Sequence, residues 1–197
     1  YNPCLRNSNF YRRAVGYFRS TVFVVVGTSM IDFAKRGGKI HLICSPRLAD
    51  DDVEQIVQGY AHREQTVTDD LIAQFDALIA HPETTLGART LATLVASGAL
   101  EIRLAERRDR RGIYHEKLGI LADGLGNRIS FKGSTNETWS GWNPLGNFES
   151  IEVFCDWRGG LERQRVERHS RHFDALWNQE DPDVETIAFP KSAADYL

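Results

Sequence analysis

Residues 114–142 read YHEKLGILADGLGNRISFKGSTNETWSGW. His115 and Lys117 stand two apart. Gly133, Ser134 and Asn136 follow in Gly-Ser-x-Asn spacing, and Glu149 comes thirteen residues after Asn136. These residue types suit a phosphodiester. Lys117 supplies a fixed positive charge, Asn136 an amide donor and Ser134 a hydroxyl donor for non-bridging phosphate oxygens. His115, a side chain that titrates near neutrality, can attack phosphorus or move a proton. No carboxylate cluster able to hold Mg²⁺ accompanies them, so charge stabilisation would fall to Lys117 and amide groups. The chemistry expected is metal-independent and needs no cofactor.

Such side chains are useful only if the chain brings them together. Apolar runs at Leu118–Leu121 and Ile129–Phe131 flank the turn sequence DGLGN, Asp123 to Asn127. Residues i and i+2 of a strand project to one face. An antiparallel pair joined by that turn would therefore place His115 and Lys117 beside Ser134 and Asn136. Alone, His-x-Lys or Gly-Ser-x-Asn is a common pattern. Their joint occurrence on adjacent strands, with an acid downstream, is specific.

The remaining sequence reads as alternating strands and helices. Arg13–Phe18 and Lys39–Cys44 read as strands enclosing a helix over Ser20–Lys35, which Gly37-Gly38 closes. That is a βαβ unit, which implies a parallel pair with a right-handed crossover. Helices are expected over Asp50–Tyr60, Asp69–Ile79 and Ala88–Ala96, and a last amphipathic helix over Arg158–Trp177. Strands are expected at Leu100–Leu104, Lys117–Leu121, Arg128–Phe131 and Ser150–Phe154. The expected fold is an α/β domain, a mixed sheet flanked by helices, over residues 1–178. Residues 179–197 read as a tail or linker toward a further region.

The 197 residues are 42% hydrophobic and carry a net charge of −3, so no global excess of basic charge announces a polyanion partner. Local charge is uneven. Arg103–Tyr114 holds five Arg against two acids, whereas Ser45–Pro82 holds eight acids against two Arg. One basic face is enough to bind a polyanion. Cys4, Cys44 and Cys155 are odd in number and set in apolar context, which reads as reduced thiols of a cytoplasmic protein. His169 and His172 read as surface histidines. No stretch has the ~20 apolar residues of a membrane span. The chain begins at Tyr1 rather than Met and reads as a piece of a longer polypeptide.

The His115-x-Lys117, Gly133-Ser134-x-Asn136 and Glu149 set resembles the motif of the phospholipase D superfamily. The resemblance implies that His115 is the nucleophile forming a phosphohistidine, that Lys117 and Asn136 bind phosphate, and that Glu149 hydrogen-bonds and orients the histidine. Ser134 would be a supporting donor. The acid that the family places five residues after the Lys falls here at Ala122, with Asp123 beside it. Together with YRRAVGYF, GGKIHLICSP and NFESIEVF, the motif resembles the phospholipase D-like domain of bacterial DEAD/DEAH helicases and restriction-associated proteins. This likeness covers most of residues 11–177. It implies a phospholipase D-like fold with one motif copy per chain and a DNA nuclease within a helicase-containing restriction or defence system. Because the chemistry needs a second histidine, it also implies a homodimer through the motif face.

Arg107, Arg108, Arg110 and Arg111, just before His115, are either phosphate contacts or a solvated loop. Trp139 and Trp142 either stack on bases or pack as a lid or core. Two rival readings stand beside the nuclease. One is a noncatalytic DNA-binding or dimerisation module. The other is a phospholipid-cleaving or transferring enzyme, although no basic amphipathic anchor accompanies the motif.

Overall fold

A computed structural model of the chain describes residues 1–48, 50–62 and 86–189. Its centre is a seven-stranded mixed sheet in the order β6-β5-β4-β1-β2-β3-β7. The strands are β1 (Phe10–Val15), β2 (Lys39–Cys44), β3 (Leu100–Arg107), β4 (Lys117–Ala122), β5 (Arg128–Gly133), β6 (Ile151–Cys155) and β7 (Val184–Ala188). β1, β2 and β3 run parallel, and all other pairings are antiparallel. The expected α/β class with a mixed, helix-flanked sheet is what the chain adopts.

Helices α1 (Asn2–Arg6), α2 (Phe23–Lys35), α3 (Asp50–His62) and α4 (Leu86–Ala96) accompany the parallel half, and a one-turn α5 (Trp139–Trp142) follows β5. The eighteen-residue α6 (Gly160–Trp177) covers the opposite face. Burial selects these faces. α2 turns Val26, Met30, Ile31 and Phe33 inward at helical spacing, into a core shared with Tyr11, Val15, Leu42 and Leu91. The Val run in α2 would favour a strand on propensity alone, but tertiary packing and the Gly37 stop, at φ +81°, decide for helix. On the other face Phe173 and Leu176 of α6 pack against Ala14, Leu118 and Ile120.

Two expectations change. β1 spans Phe10–Val15 rather than Arg13–Phe18, because pairing Phe10 with Lys39 and Val15 with Cys44 leaves Gly16 and Tyr17 beyond the sheet. Within the tail expected from residue 179, Val184–Ala188 form a strand. β7 closes the outer edge of β3, with Arg107 opposite Val184, and Phe189 is buried in the larger core. The helix expected over Asp69–Ile79 lies outside the described residues. No helix among them is long and apolar enough to cross a membrane.

Candidate active site

The site forms where β1 and β4 end together. Val15 pairs with Lys117, so these residues share a face with the Arg13–Gly119 pair two positions further in. Lys117 opens β4, and its ammonium donates to the His115 carbonyl at 3.3 Å. No carboxylate among the described residues lies within ion-pair distance of it. Burial lowers the Lys117 pKa, Arg13 lowers it further, and Glu116 and Glu149 oppose both.

His115 precedes the strand and is held by shape. A Cβ built on Gly16 would lie 2.5 Å from the imidazole Cδ2 and 3.2 Å from the His115 Cα. Only glycine allows this approach. The Tyr17 ring meets the imidazole edge-on at 5.7 Å. Partial burial, then the neighbouring Lys117 charge, lower the His115 pKa. The neutral, nucleophilic form is thereby favoured.

Asn136 reaches the same segment from the other side. Its Oδ1 accepts the Tyr17 backbone N–H at 3.0 Å. Because a backbone N–H only donates, this contact fixes the amide orientation and leaves Nδ2 as the outward donor. The loop that carries Asn136 is tied to the end of β1: Glu137 N–H donates to Tyr17 O at 3.2 Å and Arg19 N–H to Glu137 O at 2.9 Å.

Beneath the loop lies an ion pair that no local pattern announced. Arg13 is 1% exposed and Glu137 3%. The guanidinium donates from Nε to Glu137 Oε2 at 2.7 Å and from Nη2 to Thr135 O at 2.5 Å. Burial opposes the Arg13 charge, but the Glu137 carboxylate more than restores it, and the Arg13 pKa is raised. Arg13 thus joins β1 to the Thr135–Glu137 segment from inside the core.

Two expected roles change. Glu149 was expected to hydrogen-bond His115. Its carboxylate instead accepts from the Ser134 hydroxyl and, at 3.1 Å, from Asn147 Nδ2. Ser134 is consumed by this clip, since its Oγ also accepts the Ser150 N–H at 3.1 Å. The cause is the register: Gly133 opposite Ile151 sets Ser134 against Ser150 and Glu149, at the outer edge of the sheet. The Glu149 charge still reaches Lys117, whose pKa it pulls up slightly against burial and Arg13. Asp123, beside the expected acid position, caps the DGLGN turn and accepts from Leu125 N, Asn127 N and Asn127 Nδ2.

The candidate nucleic-acid contacts separate. Arg107 pairs with Asp109 at 2.7 Å, Arg110 pairs with Glu106, and Arg108 donates to Asp181 O at 3.3 Å. Arg111 is exposed, and its side chain makes no such bond among the described residues. The loop is therefore partly self-neutralised. Trp142 is half-buried, its Nε1 donates to Glu137 Oε2 at 3.1 Å, and its ring packs on Tyr1 and Phe131. It belongs to the core under the loop, whereas Trp139 is 36% exposed.

His169 and His172 are not free surface histidines. His172 Nε2 lies 3.2 Å from Glu116 Oε2, and His169 Nδ1 lies 2.9 Å from Ser130 Oγ. Glu116 also binds Lys132 at 2.6 Å, and the His172 and Lys132 contacts hold its carboxyl down at about 2. A cleft of about 450 Å³ is lined by His115, Glu116, Lys117, Gly133 and His172. The alternation of β4 sends Glu116 to the α6 face, which is why it sits between two motif residues yet answers to α6. Helical spacing on α6 marked His169 and His172 as neighbours, but nothing local named Glu116 as a partner.

Among the described residues no three His, Cys, Asp or Glu side chains are grouped to hold a metal ion. Comparison of the chain with known protein families and with curated proteins returns no match. The chemistry of the site therefore has to be argued from these residues.

Proposed function

We propose that the chain is a phosphodiesterase of the phospholipase D type that cuts DNA through a phosphohistidine at His115. The observation that carries this reading is the ordering of His115, Lys117 and Asn136 around Val15–Tyr17, each with a reactive group left available. A phosphate set there would meet an ammonium, an amide NH2 and an imidazole whose neutral form is favoured. In the first step an imidazole nitrogen attacks phosphorus, and the bond from phosphorus to one sugar oxygen breaks. That oxygen leaves with a proton from a second acid. Water then attacks the phosphohistidine, releasing the phosphomonoester and His115. Lys117 and Asn136 stabilise the charge on the non-bridging oxygens in both steps.

The second acid is the histidine of another copy in a homodimer. Phe148, Leu145 and Val153, all well exposed beside Glu149, offer an apolar face for such a copy. A monomer by light scattering that still cleaves would instead direct attention to His172, which lines the same cleft. The setting proposed is cytoplasmic, within a larger restriction or defence polypeptide that brings the domain to DNA.

The test is plasmid cleavage by wild type and His115→Ala, with and without EDTA. Expected are cleavage that survives chelation, a ³²P-labelled intermediate trapped by a denaturing alkaline quench, and loss of both in a variant with unchanged circular dichroism. A folded His115→Ala protein cutting at the wild-type rate would refute the assignment. Loss of activity in EDTA, restored by Mg²⁺, would refute the metal-independent mechanism.

A further inference from the structure

A second concavity of about 870 Å³ lies between β5, β6 and α6, lined by Lys132, Glu152, Phe154, Arg165, Arg168 and His169, among others. It shares Glu116, Lys132, Gly133 and His172 with the cleft that holds His115 and Lys117. The two are therefore continuous around the end of the sheet. The motif chemistry makes no use of this groove.

Its charge is basic where it is free. Glu116 is already answered by Lys132 at 2.6 Å and His172 at 3.2 Å, which leaves Glu152 as the other carboxylate in the lining. Arg165 and Arg168 form no ion pair among the described residues, and both are exposed. Arg165 is restrained at the groove by the Phe154 ring, with its guanidinium carbon 4.7 Å from the centroid. Arg171 continues the row on α6, and the adjoining depression is lined by Arg165, Glu167, Arg168 and Arg171. At three-residue spacing these guanidiniums follow one another every ~4.5 Å of helix axis. The row of three is ~9 Å long, the reach of two or three successive phosphates of a nucleic-acid strand.

We infer that this groove binds the sugar-phosphate backbone of DNA leading into or out of the His115 cleft, with Arg165 and Arg168 as phosphate contacts. The inference rests on the phosphodiesterase reading for its substrate, and it adds a second contact surface on the α6 face of the sheet. Because both residues lie away from the reacting atoms, they act on affinity and placement.

The experiment is fluorescence anisotropy with a labelled 30-base-pair duplex, titrated at several salt concentrations in a His115→Ala background that cannot turn over. Arg165→Gln/Arg168→Gln should bind about tenfold or more weakly, and the slope of log K against log salt should shrink by about 1.8, or 0.9 per lost contact. Arg89→Gln, on α4 across the sheet, should leave the slope unchanged. An unaltered affinity and slope in the double variant would overturn the groove, as would an equal effect from Arg89→Gln, which would reduce the result to net charge. Binding here does not depend on hydrolysis, so this failure and failure of the phosphodiesterase reading are separate results.

Discussion

Arg13→Met tests whether the buried ion pair is what holds the motif loop. The substitution keeps an unbranched apolar stem between Phe131 and Trp142, where the guanidinium now sits 5.2 Å and 5.8 Å from the two ring centroids. It leaves the Glu137 carboxylate, 3% exposed, without its cationic partner, and it deprives Thr135 O of a donor. Removing one member of a buried pair costs ~3–5 kcal/mol, a large share of the ~5–15 kcal/mol that stabilises a domain. At ~2–4 °C per kcal/mol for a chain of this size, the midpoint should fall by ~6–20 °C. Urea unfolding followed by circular dichroism measures the cost directly. Arg13→Met/Glu137→Leu removes both charges and should recover much of the loss, since replacing a whole buried pair by apolar groups is often close to neutral. The cycle should therefore show a favourable coupling of more than ~2 kcal/mol. Neither variant should restore turnover, because Thr135 O and the loop have lost their tie to β1. A single variant costing under ~1 kcal/mol, or a double variant whose loss is the sum of the two singles, would refute this account of the pair.

Gly16→Ala should shift the His115 imidazole, since the new methyl would lie 2.5 Å from Cδ2. Single-turnover cleavage should slow by ~100-fold, the order expected for a misplacement of about 1 Å, with little change in DNA affinity; an unchanged rate would remove Gly16 from the site. The His115 ring should titrate below the ordinary histidine value, because burial and Lys117 both disfavour the imidazolium. The neutral nucleophile then persists to lower pH, and the acid limb of the rate profile should sit below that of a free imidazole. Lys117→Met should move the ring's NMR titration upward, and a downward or absent shift would contradict the electrostatic coupling.

Much of the scaffold was legible because its signals are local. Lys39–Cys44 carries Ile40, Leu42, Ile43 and Cys44 between Gly37-Gly38 and Ser45-Pro46, and β2 has those bounds. DGLGN turns as expected, because the Asp123 carboxylate accepts the N–H groups of the turn it precedes. What failed depended on distant partners. Arg13 looks like a polar residue of a half-exposed strand until Glu137, 124 residues later, is packed onto it. Val184–Ala188 is too short and polar to announce a strand, and the open edge of β3 is what orders it. The Ser134 and Glu149 roles changed for a similar reason: the register of β5 against β6, which no spacing in the sequence specifies, turns them toward each other.

The distance between Arg13 and Glu137 along the chain also sets the order in which the site can come into being. β1 is made before the other six strands of the sheet but lies in its middle, between β2 and β4. At ~5–20 residues per second, Arg13 waits ~6–25 s for Glu137 to be made, and longer for it to clear the ribosome. Only in the last part of that interval, after Lys117, can a nascent chain present His115 and Lys117 without Asn136 or the pair that anchors its loop. A product truncated before Glu137 therefore carries His115 and Lys117 but lacks the anchor of the Thr135–Glu137 segment. The topology thus completes this cluster only after Glu137 has emerged, whichever reaction the cluster serves.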